Sequence, residues 1–313
     1  MKKGKYHLFL ALKGMAMGIA EVIPGVSGGT IAFITGIYET LIESIKAVLG
    51  PELFRAFRRG GVGEVWRSIN GSFLLVLIAG MVFGIVTGVF GVTHLLESYP
   101  VLVWAFFFGL IIASAIYIAR QVNRWELIEV IGMVAAIALA FWITEASPAQ
   151  GTNALWMVFI AGAIAISALI LPGISGSFIL LLMGMYTVII PALKLALSTF
   201  STDSLLIVAV FALGCIFGLA TFARLLSWTF KNYHNTTLAV LTGFMIGSLN
   251  KIWPWRNVLE TRIDSSGEVV PFLEQSVWPG QFEGAPMVLP ALIMMVLGFL
   301  VVFLLERVDK KMA

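Results

Sequence analysis

Cysteine, histidine and charge are all scarce in this chain. The single cysteine, Cys215, lies within an apolar run, so neither a disulfide framework nor a cysteine metal site is available. His7, His94 and His234 are scattered, which gives a zinc site little support. Only 12% of the 313 residues are charged, against 59% hydrophobic, and the mean hydropathy is +0.98. That balance excludes an ordinary soluble domain and reads as an all-α polytopic membrane protein, with no cofactor and no nucleic-acid partner expected. The basic start, Met1-Lys2-Lys3-Gly4-Lys5, superficially resembles a signal peptide. Cleavage is not expected, because the apolar stretch runs on without a polar mature region behind a small-residue cleavage site.

What is present is a short stretch that occurs twice. Pro24-Gly25-Val26-Ser27-Gly28-Gly29-Thr30 recurs as Pro172-Gly173-Ile174-Ser175-Gly176-Ser177-Phe178, each inside a long apolar segment. Proline and consecutive glycines break a helix, and in lipid the freed backbone groups need partners. Residues 8–46 form one apolar block interrupted at 24–29, too long for one span of about 20 residues. It reads as two short helices meeting at the break. Residues 47–71, with Arg55, Arg58, Arg59 and Arg67, read as a cytoplasmic surface helix or loop. Spans follow at about 72–94, 101–119 and 127–144, closed by a polar linker at 145–153. The second half repeats the plan: an interrupted block at 154–197, then spans near 205–226, 236–250 and 287–305. A long polar loop, 251–285, carries Trp253-Pro254-Trp255, read as an interfacial belt.

The repeat keeps its spacing. At an offset of about 148, Gly14, Pro24, Ser27, Gly36, Tyr38 and Lys46 match Gly162, Pro172, Ser175, Gly184, Tyr186 and Lys194. At about 134, Gly80, Gly84, Tyr99 and Gly109 match Gly214, Gly218, Tyr233 and Gly243. The expected organisation is a single transport domain made of repeats at about 8–145 and 154–306. If each interrupted block enters and leaves on one face and the other six segments cross, both termini lie on one side. All of the 20 Lys and Arg except Lys194, Lys251, Arg256 and Arg262 then fall on that side. This obeys the positive-inside rule, puts both termini in the cytoplasm and makes the repeats inverted, with re-entrant-like hairpins opening to opposite faces.

A half-helix starting after Gly28-Gly29, or after Gly176, would aim free N–H groups at the bilayer middle, where phosphate or carboxylate is favoured. Ser27, Thr30, Ser175 and Ser177 add hydroxyls to such a site. The alternative is that these small residues only let the tips pack closely. Glu21 lies one turn before the first break and is matched by Leu169. A carboxylate there costs about 3 kcal/mol on insertion scales and is a candidate proton carrier or a hydrogen-bond partner for freed N–H groups. Lys46 and Lys194 read as snorkelling anchors. Arg224 stands where the first half has Phe90 and is a candidate phosphate contact or a positive-inside anchor.

The stretch from Lys13 to Thr30, KGMAMGIAEVIPGVSGGT, resembles the signature of the polyprenyl-phosphate translocases of the PopT type. Leu171 to Ser177 with Gly184-Met185-Tyr186 is similar to their second motif. Tyr233-His234, Gly243, Gly247-Ser248-Leu249 and Trp253-Pro254-Trp255 resemble a third. The resemblance spans essentially the whole chain. It implies a non-enzymatic flippase of the bacterial inner membrane that moves undecaprenyl phosphate from the outer to the cytoplasmic leaflet, recycling the carrier lipid for cell-wall synthesis. The family repeats an acid after the Gly-x-Tyr element, whereas this chain has Glu39 in the first half and Thr187 in the second. The expected site comprises Glu21, Pro24, Ser27, Gly28, Gly29, Thr30, Ser175, Gly176, Ser177 and Arg224. Expected partners are undecaprenyl phosphate, bilayer lipids and protons, with a homodimer left open. Two rivals remain: a small-anion transporter, and a phosphatase acting on undecaprenyl pyrophosphate. The phosphatases carry a similar Pro-Gly-x-Ser-Arg-Ser type motif, but Gly28 and Gly176 stand where they place arginine.

Overall fold

A computed structural model describes residues 3–23, 25–263 and 269–310. The first apolar block is three helices rather than the expected two: α1 (Lys3–Glu21), α2 (Gly28–Ile34) and α3 (Tyr38–Val48). The extra break lies in the Gly-x-Tyr element, where Gly36 takes φ +69°, a left-handed conformation that a residue with a Cβ adopts only at a cost. After α3 come α4 (Pro51–Ser68), α5 (Gly71–Ser98), α6 (Pro100–Ala119) and α7 (Leu127–Glu145). The second block again yields three helices, α8 (Leu155–Ile170), α9 (Gly176–Leu182) and α10 (Tyr186–Ser198). Gly184, at φ +68°, repeats the second break, and α9 and α10 are bent by 111°. The chain continues through α11 (Thr202–Asn232), α12 (His234–Ser248) and α13 (Val288–Lys310).

Among the described residues, α5, α6, α7, α11 and α13 are long and apolar enough to cross a membrane, and α9 with α10 counts as a sixth span if the bent pair is taken as one. The remaining expected crossing, α12, has 15 residues and is prolonged by a 3-10 turn, Leu249–Ile252. Outward faces are apolar: Phe83, Phe90, Phe217 and Leu289 are all exposed, which suits lipid rather than water. The surface helix read at 47–71 is α4, kinked at Gly60 and Gly61.

Without a hydrophobic driving force inside a bilayer, helices hold together by close packing. The glycines at the repeated spacing supply it. A Cβ on Gly84 would strike the carbonyl of Met15, and one on Gly218 would strike that of Ala163. Met15 and Ala163 are themselves matched positions, so the α1–α5 contact is reproduced at α8–α11. The last helix of each half packs on the other half: α13 lies on α6, and α7 lies on α12.

The polar loop is not irregular. It holds a β-hairpin, β1 (Arg256–Ile263) antiparallel to β2 (Val269–Ser276), with Arg256 opposite Ser276. The tryptophans read as a belt instead pin this hairpin. Trp255 is buried and donates to the Pro286 carbonyl at 2.7 Å, and Trp253 donates to the Val277 carbonyl at 2.8 Å.

Because the glycine contacts leave no room for a methyl group, Gly84→Val and Gly218→Val should each cost about 1–3 kcal/mol. The measurement is thermal melting of the detergent-solubilised protein, and wild-type melting in both variants would contradict the packing.

Candidate functional site

The chain leaves α1 with a turn, and Ser27 then caps α2 in an extended conformation. Its Oγ accepts from Gly29 N at 3.0 Å and donates to the carbonyl of Leu169, at the end of α8, at 3.0 Å. Gly28 N donates to Glu21 Oε1 at 2.7 Å. Two of the amides freed at the first break are therefore held by Ser27 and Glu21. Thr30 reaches across to the second break, where its Oγ1 accepts from Gly173 N at 3.1 Å. Tyr38 donates its hydroxyl to the Ile170 carbonyl at 3.2 Å. Gly29 lies so close to the same carbonyl that a Cβ would strike it. First-half residues thus satisfy the backbone that the second break exposes.

Of the expected site residues, Glu21, Ser27, Gly28, Gly29, Thr30, Ser175, Gly176 and Ser177 lie at the two tips. Ser27, Thr30 and Ser175 are almost fully buried. Ser177 is exposed but lies 2.8 Å, Oγ to Oγ, from Ser175. Ser175, unlike Ser27, makes no side-chain cap to its helix. Pro24 lies outside the described residues. Arg224 is not brought to the tips by any described contact; its Nη2 donates to the Leu49 carbonyl at 2.8 Å, just past the end of α3. It belongs to a polar seam between α3 and α11. There Lys46 Nζ lies 2.7 Å from Ser227 Oγ, Ser227 donates to Glu43 at 2.5 Å, and Lys231 pairs with Glu43 at 3.2 Å.

One charged residue at the tips was not expected from the sequence. Lys251, in the turn after α12, lines a narrow cavity of about 10 Å³ with Gly25, Gly173, Ser175, Phe178 and Ser248. Its ammonium sits 4.7 Å from the Phe178 ring centroid and 3.7 Å from Glu274 Oε2. The same Oε2 lies 3.0 Å from Arg256 Nη1, and the Arg256 guanidinium stacks over Trp104 at 4.6 Å.

A family model described as undecaprenyl phosphate translocase-like matches residues 17–270. The chain belongs to that family. It is similar to a protein of Vibrio cholerae named polyprenyl-phosphate transporter, 47% identical over 277 residues that cover 88% of this chain and 87% of the relative. A Staphylococcus aureus protein of the same name is 28% identical over 257 residues, covering 78% of this chain and 85% of its own length. No solved structure matches.

The tip motifs identified in the sequence are the residues that the fold brings together at the two breaks. In the sequence Lys251 reads as one of the charges of the polar loop 251–285. The one signal available was its position between Gly247-Ser248-Leu249 and Trp253-Pro254-Trp255, the two pieces of the third motif.

Thr30→Val should leave the buried Gly173 N–H unpaired, at a cost of about 1–3 kcal/mol. Thr30→Ser, which keeps an acceptor oxygen, should restore most of it. Thermal melting of the two variants checks this, and equal melting of Thr30→Val and wild type would refute the bridge between the tips.

Proposed function

We propose that this protein moves undecaprenyl phosphate from the outer to the cytoplasmic leaflet of the bacterial inner membrane, returning the carrier lipid for reuse. The observation that carries this reading is the closure of the two tips on each other, with Ser27 and Thr30 of one break bonded to Leu169 and Gly173 of the other. The chain acts as one transport domain of two inverted repeats with cytoplasmic termini, a reading supported by the sorting of its lysines and arginines. The tips receive the phosphate from opposite faces in turn. The isoprenoid tail stays in lipid, along the exposed apolar side chains of helices such as α5 and α11. Only the charged headgroup then needs a polar path.

Glu21 is the proton carrier in this reading. Its carboxylate holds the Gly28 N–H. Taking a proton as the anion arrives neutralises Glu21 and releases that amide to the phosphate, so two negative charges never share the tip. The serines at both tips supply further donors.

Gly28 favours transport over the phosphatase alternative. A Cβ at Gly28 would lie 2.6 Å from Glu21 Oε1 and 3.2 Å from the Met17 carbonyl oxygen. An arginine, the group that would stabilise phosphoryl transfer there, has no room unless Glu21 moves.

Glu21→Gln and Ser27→Ala are expected to abolish flipping of undecaprenyl phosphate in proteoliposomes while the protein still inserts. Full activity of both variants would remove the midplane site. The purified protein is also expected to release no phosphate from undecaprenyl pyrophosphate, and release would favour the phosphatase.

A further inference from the structure

Among the described residues, the cavity between the tips has one charged side chain in its lining, and no motif assigned it a role. We propose that Lys251 is the cation that binds the phosphate headgroup, and that Glu274, anchored on Arg256, is the carboxylate it gives up to do so. This rests on the reading of the protein as a polyprenyl-phosphate translocase.

Lys251 touches both tips. A Cβ on Gly25, in the first tip, would lie 3.2 Å from the Lys251 Cγ, so the aliphatic stem packs there, while the ammonium lies over Phe178, in α9 of the second tip. Ser175, whose hydroxyl pairs with that of Ser177, lines the same cavity as Lys251. A phosphate reaching Ser175 therefore meets Lys251 as well.

The ion pairs around Lys251 leave it as the exchangeable member. Two cations in contact share one carboxylate oxygen, Glu274 Oε2, and Arg256 holds it at the shorter distance, 3.0 Å against 3.7 Å. Arg256 is also the more deeply buried, with its side chain 6% exposed, and it is fixed by Trp104. Glu145, the further carboxylate acting on Lys251, is exposed and bonded to Asn250 at 2.6 Å. An incoming phosphate monoester carries more negative charge than a carboxylate and offers more acceptor oxygens. It can take the lysine while Glu274 stays paired with Arg256, so no buried guanidinium is left without a counter-ion. The cavity, with room for about one water, is too small for a phosphate. Loading therefore requires the walls of this cavity, formed by the two tips, α7 and the turn after α12, to part.

A purely structural role for Lys251, tying the hairpin to the tips, predicts a different pattern of variants. The experiment measures binding of farnesyl phosphate to full-length detergent-solubilised protein, with farnesol as the uncharged control. Wild type should bind the phosphate and not the alcohol. Lys251→Met, which keeps the stem but loses the charge, should weaken binding by about tenfold or more. Lys251→Arg should retain it, and Glu274→Gln, which removes the competing charge but keeps an acceptor for Arg256, should bind as tightly as wild type or more so. Wild-type affinity in Lys251→Met overturns the proposal. So does a Glu274→Gln loss equal to that of Lys251→Met, since the pair would then matter only as a tie. Failure of wild type to prefer farnesyl phosphate to farnesol would instead overturn the polyprenyl-phosphate reading itself, and this proposal with it.

Discussion

A backbone amide or carbonyl freed inside a bilayer has no water to bond, and each one left unpaired costs several kcal/mol, on the order of a lost hydrogen bond in an apolar medium. Everything about the centre of this protein answers that constraint. The first break is closed locally by Ser27 and Glu21 on the amides of Gly29 and Gly28. The second is closed largely from outside, by Ser27, Thr30 and Tyr38 on groups of Leu169, Gly173 and Ile170. The second half could not bury its broken helix in this form alone. Between them the halves make one polar unit in an otherwise apolar core.

The same dependence runs through the helix packing. Glycines spaced along α5 and α11 bring those helices onto α1 and α8, and the last helix of each half lies on its counterpart's half. Rigid paired helices thus surround a centre held by a few hydrogen bonds between side chains and backbone. Bonds of that kind contribute about 0.5–1.5 kcal/mol each when exchanged for others, so a ligand offering acceptors can take the Gly28, Gly29 and Gly173 amides from Glu21, Ser27 and Thr30. This is the physical basis for reading the closed tips as one state of a transport cycle.

The two tips are alike in backbone and unlike in chemistry. Glu21 is matched by Leu169, and the serine cap of α2 has no counterpart at α9. A lysine brought from the turn after α12 lies against both tips, with its counter-ion on a β-hairpin. On the proposed path, an acid at one tip alone gives a headgroup different surroundings at the two ends. A symmetric pair of tips would not provide that difference.

Much of this was legible in the chain itself. Composition fixed the membrane class. The doubled Pro-Gly-x-Ser-Gly core located both breaks, and the matched glycines are found where α5 meets α1 and α11 meets α8. The second break, at Gly36 and Gly184, was visible only as a matched Gly-x-Tyr, because a left-handed turn cannot be told from a packing glycine by sequence alone. Arg224, read as a phosphate contact or a positive-inside anchor, bonds the carbonyl just past the end of α3, and Lys251, which reads as a loop charge, sits between the tips. The sequence determined the helices and their interruptions, since these depend on hydrophobic runs and on residues that cannot continue a helix. The bond from Glu21 to the first break was within reach of sequence reading. Which side chains satisfy the second break, and which cation lies beside it, was decided by the tertiary structure alone, because those partners are more than 70 residues apart and no local pattern records their approach.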